Sequence, residues 1–189
     1  PLPNAPLGDG FNYQVPIVVA TQQDSLQGRL SQVVNARQQL VGSVAYQRIS
    51  TDTANLFDFV DKTTVANTNA SLVWTNRLSQ FMFMRARYEF TNLATDVTPH
   101  FANLVNVSGE AGITGNNQDP SNWGPPALSF SSGLASLATG NYARNDSRTH
   151  GGTVEIFRNR GRHSFTFGGG IRGVSLTVLS QQDPRGGFT

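Results

Sequence analysis

Residues 81 to 90 read Phe-Met-Phe-Met-Arg-Ala-Arg-Tyr-Glu-Phe, and from Met82 onward their hydropathy alternates with a period of two. Met82, Met84, Ala86, Tyr88 and Phe90 fall on one side, with Arg85, Arg87 and Glu89 on the other. Side chains alternate across a strand, so the segment predicts a β-strand with one apolar and one charged face. The preceding stretch, Asn69-Ala70-Ser71-Leu72-Val73-Trp74, predicts its partner in a strand over 62–75, joined by a turn at Asn76-Arg77-Leu78-Ser79.

The pattern recurs along the chain. Around 27–34, Leu26, Gly28 and Leu30 oppose Gln27, Arg29 and Ser31. After a tight connection at Asn35-Ala36-Arg37, the strand 39–49 sends Leu40, Gly42, Val44 and Tyr46 to one face and Val41, Ser43, Ala45 and Gln47 to the other. Residues 50–61 read as a loop. Farther on, 149–157 sets Val154 and Ile156 against Thr153 and Glu155, and Asn159-Arg160-Gly161 makes another turn. The strand 163–178 then sets Phe165, Phe167, Gly169 and Ile171 against Ser164, Thr166, Gly168 and Arg172. Between these hairpins, 91–146 is crowded with turn formers such as Gly115-Asn116-Asn117, Asp119-Pro120-Ser121-Asn122 and Gly124-Pro125-Pro126. It carries no helical stripe and predicts no compact element.

The fold class is therefore all-β, an antiparallel meander of about six long strands in three hairpins. Short turns near 36, 77 and 160 share one rim, and longer connections near 55, near 120 and after 180 share the other. One apolar face combined with that asymmetry is the pattern of a transmembrane barrel wall between lipid and a wet interior. The short turns then face the periplasm, and the first twenty residues, the loop 91–146 and everything after Ser180 lie outside. Bacterial single-chain barrels begin at about eight strands, and an open sheet leaves unpaired edges that lipid does not tolerate. Residues 1–189 are expected to be a partial barrel domain, internal to a larger protein, with Gly186-Gly187-Phe188-Thr189 opening a further strand.

Composition agrees with this picture. Only 14% of residues are charged, and one lysine, Lys62, accompanies thirteen arginines. A net charge of +2 with no basic run excludes nucleic acid as an expected partner. There is no cysteine, hence no disulfide framework and no thiolate metal site. No run of about twenty apolar residues occurs, which removes a transmembrane helix but not a barrel, whose strands need only about 9–11 residues. The opening Pro1-Leu2-Pro3-Asn4-Ala5-Pro6 is no signal peptide, so an export signal is expected outside this sequence.

Candidate chemistry is sparse. His100, His150 and His163 have no metal-ligand spacing, and Gly168-Gly169-Gly170 lies in a strand pattern that suits curvature or close packing better than a phosphate loop. Ser132 and Ser136 have no nucleophile elbow, so no catalysis is expected. Asp52, Asp58, Asp61 and Asp96 have no calcium-loop spacing, and no cofactor is expected. The charged residues of the predicted inner face, Arg85, Arg87, Glu89, Glu155 and Arg172, are the candidates for ion pairing within the wall, with a plug, or with substrate. Trp74 and Phe81 near one turn, with Tyr88 and Phe90 near the opposite end of their strand, are candidates for two interfacial aromatic girdles.

Several patches carry a family likeness. The run Asn159-Arg160-Gly161-Arg162-His163-Ser164-Phe165-Thr166-Phe167-Gly168-Gly169-Gly170, with Gln182-Asp183-Pro184-Arg185-Gly186-Gly187-Phe188-Thr189, resembles the barrel of TonB-dependent outer-membrane receptors. It is most similar to the Oar-like subgroup, whose barrel follows a carboxypeptidase-regulatory-like domain. Asn122-Trp123-Gly124-Pro125-Pro126-Ala127-Leu128-Ser129-Phe130 and Asn55-Leu56-Phe57-Asp58-Phe59 resemble loops of the same subgroup. The resemblance implies a barrel of roughly 22 strands, occluded by a plug, that takes up a large substrate through TonB. The plug and its TonB-contacting segment are not in this sequence, so no functional residue of the family carries over.

A second class stays open, a secreted or surface-attached β-rich adhesive protein. The two readings differ over Met82, Met84, Val154, Ile156, Phe165 and Phe167: a barrel wall turns them outward from one curved sheet, and a sandwich buries them between two.

Overall fold

A computed structural model describes residues 3–6, 12–55, 57–131 and 136–189; Leu56 and Ser132 lie outside the described residues. Six long strands form one antiparallel sheet: β1 (Val19–Asn35), β2 (Gln38–Ala54), β3 (Val60–Ser79), β4 (Met82–Thr98), β6 (Ala143–Arg160) and β7 (His163–Ser180). They pair in that order, each with its predecessor. Two-residue strands β5 (Ala127–Leu128) and β8 (Gly187–Phe188) pair in parallel outside this sheet.

Among the described residues no second sheet packs face to face on the first, so the sandwich reading falls. Met84, Ile156 and Phe167 are register partners, as are Arg158 and Phe165, Met82 and Arg158, and Val154 and Gly169. The six discriminating side chains therefore share one face, where Phe167, Val154 and Phe165 are exposed. Leu30 at 72% and Ile171 at 81% exposure, at opposite sides of the sheet, belong to the same face.

The strands are longer than hydropathy predicts. Each holds 17 to 20 residues, about 56–66 Å at 3.3 Å per residue. A barrel strand tilted about 40° then stands about 43–50 Å tall, well beyond an apolar band of about 25 Å. Alternation is legible only where one face meets lipid. Above Phe90 both faces of β4 are mostly polar, yet Thr91, Thr95, Val97 and Thr98 keep the β-branched character that suits a strand, and the ladder continues to Thr98.

That continuation corrects the predicted connections. The stretch 50–61 is mostly strand, leaving only five residues, 55–59, where a long connection was expected. The large connection spans 99–142 rather than 91–146. The second turn is Gln80-Phe81, not 76–79, because Asn76 sits in the ladder between Gln38 of β2 and Met84 of β4. Pairing with distant strands here overrides a local turn former. The third turn is Gly161-Arg162, where Gly161 has φ +61°, the left-handed region a two-residue hairpin loop requires. In the first turn, Asn35 Oδ1 accepts from the Arg37 N–H at 2.9 Å. The three short turns share a rim, with Arg37 O accepting from Arg77 N and Phe81 O from Asn159 N.

The connection 99–142 also departs from expectation, for it has packed structure of its own. Every buried described residue lies in it or in the tail after β7: Pro99, Ala102, Ser108, Asn122, Gly124, Pro184 and Arg185. A short helix α1 (Val107–Glu110) is capped by Asn106, and a 3-10 turn (Pro120–Asn122) by Asp119. Such local side-chain bonds stand in for the missing hydrophobic stripe. Ser108 Oγ donates to Gly124 O at 2.6 Å, and Asn103 N to Pro120 O at 2.7 Å. The tail closes the unit: Asn117 N donates to Pro184 O, and Asn122 Nδ2 to Gln181 Oε1. Gly187 and Phe188 thus pair with Ala127 and Leu128 in this cap and open no strand of the large sheet.

Candidate functional site

Two surfaces carry candidate function, the polar face of the sheet and the cap. The polar face is the hollowed one. A cavity of about 730 Å³ lies against it, lined among others by Arg29, Ser43, Ser71, Arg87, Glu89 and Arg172. Register explains the composition of its floor. Arg29, Ser43, Ser71, Glu89, Gly151 and Arg172 are successive cross-strand partners, one from each long strand. Side chains in the middle of this row are small, except Glu89, and long cations stand at its two ends.

The predicted inner-face residues Arg85, Arg87, Glu89, Glu155 and Arg172 all share this face. Arg87 pairs with Glu89, but both side chains are about half exposed, so the pair contributes less than about 1 kcal/mol. Arg85 stands opposite Glu155 in register, and its guanidinium lies 5.8 Å from the centre of the Phe157 ring. That ring stacks on Phe83 at 4.5 Å, giving the short-turn end of the hollow face an aromatic pair. Ser43 and Ser71 hydroxyls meet at 2.8 Å, and Thr91 Oγ1 donates to Asn69 Oδ1 at 3.0 Å. Sequence reasoning did not single out Arg29 or the Phe83–Phe157 pair. Arg29 has the right parity, but only the register across six strands reveals that it shares a row with Arg172.

Glycines shape the same face. A Cβ on Gly168 would lie 2.7 Å from Val154 O, and one on Gly170 3.0 Å from Gly152 O. Gly169, pointing the other way, meets nothing within 4 Å. The triplet therefore permits close approach of β7 to β6, as its place in a strand suggested.

On the opposite face, Trp74, Tyr88 and Phe90 share parity with Leu72, Ala86 and Val154. Tyr88 and Phe90 lie midway along β4 rather than near its end, because the strand runs eight residues past Phe90. They nevertheless mark the upper limit of the apolar run. The Tyr88 hydroxyl is 2.7 Å from His150 Nδ1, and the Phe90 and His150 ring centres are 5.0 Å apart. Phe81 sits in the turn itself and is exposed. His163 is the first residue of β7, and among the described residues no group of three or more His, Cys, Asp or Glu is close enough to hold a metal ion.

The cap is held by two charged residues. Asp61 of β3 accepts from His100 N at 2.9 Å and from Gly140 N at 3.2 Å, so it ties the two ends of the connection to one strand. Arg185, only 5% exposed, donates from Nη2 to Thr139 O, Gly140 O and Asn141 Oδ1 at 2.9–3.1 Å. Burial lowers its pKa from the ordinary arginine value, and the nearby Asp61 carboxylate opposes that shift. Phe59, His100 and Phe101 pack together below, with ring centres 4.7–5.1 Å apart.

A six-stranded meander with one exposed apolar face and one hollowed polar face suits a wall between lipid and water, and comparison with known proteins agrees. No curated protein and no solved structure matches the chain. A family model described as an outer membrane beta barrel domain matches residues 1–189. The chain belongs to that family and, with it, to the bacterial outer membrane.

Proposed function

We propose that the chain is part of the wall of a TonB-dependent outer-membrane receptor, a barrel of roughly 22 strands that takes up a large substrate. The observation that carries this is the polar row across all six strands on the hollow face. Adjacent strands lie about 4.8 Å apart, so Arg29 and Arg172 are separated by about 24 Å along the sheet, and its two edge strands do not meet. Lipid does not tolerate two such edges, and further strands closing a wide lumen satisfy them. A lumen that wide is either an open aqueous channel or filled by a plug domain. Ser43, Ser71 and Gly151 leave room for one, and Arg29, Arg87 and Arg172 offer it hydrogen-bond donors. The partners on this reading are outer-membrane lipid, a plug of the same protein, the TonB system and an unidentified large substrate. The five-residue and the capped connections face outward, and the role is transport rather than catalysis.

Two experiments test it. Reading the DNA on both sides of this frame should reveal further alternating strands, with an upstream signal peptide, plug and TonB-contacting segment; a continuous barrel lacking any plug would refute the receptor reading. Orientation is tested separately on the cysteine-free chain. Gly115→Cys should react with a membrane-impermeant maleimide on intact cells, and Ala36→Cys only after lysis; the reverse would invert the assignment of rims.

A further inference from the structure

The outward face of the sheet changes character abruptly above the Phe90–His150 row. Below it, as far as the row of Met84, Ile156 and Phe167, β4, β6 and β7 present no charge on this face. Above it stand Arg148, Asp146, Arg144 and Asp96 on the same face. Arg148 and Arg144 lie two and six residues beyond His150, about 7 and 20 Å along the strand, or about 5 and 15 Å in height at a 40° tilt. The sheet thus leaves the hydrocarbon and crosses the layer that lipid headgroups occupy.

In that layer the surface is a built groove rather than a flat rim. Arg144, Asp146 and Arg148 of β6, with Ser175, Thr177 and Leu179 of β7, line a hollow of about 380 Å³. Asp146, whose side chain is only 13% exposed, holds Arg148 by a two-pronged contact, Nε to Oδ1 and Nη2 to Oδ2, each at 3.0 Å. Asp96 lies 3.5 Å from Arg144 Nε. Arg148 is therefore held by a carboxylate one outward-facing position above it and Arg144 by one level with it, yet both side chains are more than half exposed. A guanidinium has five N–H donors, so at least three on Arg148 remain for a ligand. Donor forks with two neighbouring hydroxyls suit a phosphate on a sugar.

We infer that this groove binds the phosphorylated sugar headgroup of an outer-leaflet glycolipid, with Arg144 and Arg148 on the phosphate and Ser175 and Thr177 on the sugar. Continuity with the lipid-facing band selects the occupant: a molecule whose acyl chains lie against Ile171 and Val154 has its headgroup at this height. The assignment rests on the reading that the capped rim faces outward, which cysteine labelling decides independently.

The test uses the full protein extracted from outer membranes in mild detergent. Phosphorus and 3-hydroxy fatty acids are measured per mole of protein. The wild type should retain both in constant ratio, and Arg144→Ala/Arg148→Ala should retain at least threefold less, while Arg37→Ala on the opposite rim keeps the wild-type amount. Equal retention by the double variant, or equal loss from Arg37→Ala, would overturn the proposal. Phosphorus without fatty acid would identify free phosphate instead and overturn it too. Should the double variant fail to insert, a photoreactive benzoylphenylalanine at Leu179 in the otherwise native protein should form a glycolipid adduct on irradiated cells. Absence of the adduct, with labelling showing the capped rim outside, would overturn the groove assignment alone.

Discussion

Placing an arginine at two alanines of the same strand separates depth from parity. Ala86 and Ala94 are both on the outward face of β4, eight residues apart. Ala86 lies between Trp74 and Val154, halfway between Met82 and Phe90 at the ends of the apolar run. Ala94 lies between Ala66 and Asp146, about 26 Å farther along the strand and about 20 Å higher at a 40° tilt. A barrel arginine facing lipid at the bilayer midplane costs about 2–4 kcal/mol, falling to about 0–1 near the interface. Ala86→Arg should therefore shift the folding equilibrium by about 30- to 700-fold, since each 1.4 kcal/mol is tenfold, and Ala94→Arg by less than about fivefold. The neighbouring carboxylate of Asp146 would favour the second arginine further. Denaturant titration of the full protein in lipid vesicles, read as the folded fraction on unheated gels, measures both. Equal destabilisation by the two variants, or none from Ala86→Arg, would refute the placement of the hydrocarbon band.

Three further outcomes follow from the cap and the glycines. Arg185→Met removes the donors to Thr139, Gly140 and Asn141 and should destabilise the cap by more than about 2 kcal/mol, seen as faster amide exchange over 99–142 with β1 to β4 unchanged. Gly168→Val should cost about 1–3 kcal/mol in folded barrel because its side chain meets Val154 O, whereas Gly169→Val, facing open space, should cost far less on the same gels. The Asp119 carboxyl is held below its ordinary value, first by the Ser121 hydroxyl and then by the Ser121 N–H. A depressed carboxyl contributes stability above its unfolded value and loses it as pH falls through the folded one. Exchange at Ser121 and Asn122 should therefore rise only below about pH 4, and a rise near neutrality would contradict it.

How far the chain could be read in advance depended on what each segment touches. Where one face meets lipid, the alternation of Met82 to Phe90 and of Phe165 to Ile171 appears directly in the residues, and it identified the strands, their faces and the three hairpins. The upper halves of the same strands touch water or headgroups on both sides, so Thr91 to Thr98 and Ala143 to Arg148 show no clear period and read as loop. Their strand character comes from the neighbours that pair with them. The turn at Gln80-Phe81 eluded local reasoning for the same reason, since Asn76 is a turn former that Gln38 and Met84 hold in the ladder.

The candidate site divides along a similar line. Parity alone assigned Arg85, Arg87, Glu89, Glu155 and Arg172 to one face, because a strand of known phase has no other choice. That Arg29 shares a row with Glu89 and Arg172 depends on five registers, each settled by pairing between residues up to 76 positions apart in the chain. The cap was the least legible part. Besides its local caps, it is tied down by Asp61 and Arg185, a carboxylate on β3 and a guanidinium beyond β7, which reach into a segment whose sequence shows only turn formers. The amino-acid pattern determined a lipid-facing meander, since hydrophobic periodicity is local. Tertiary structure decided how the polar side was filled and capped, since those contacts join residues far apart in the chain.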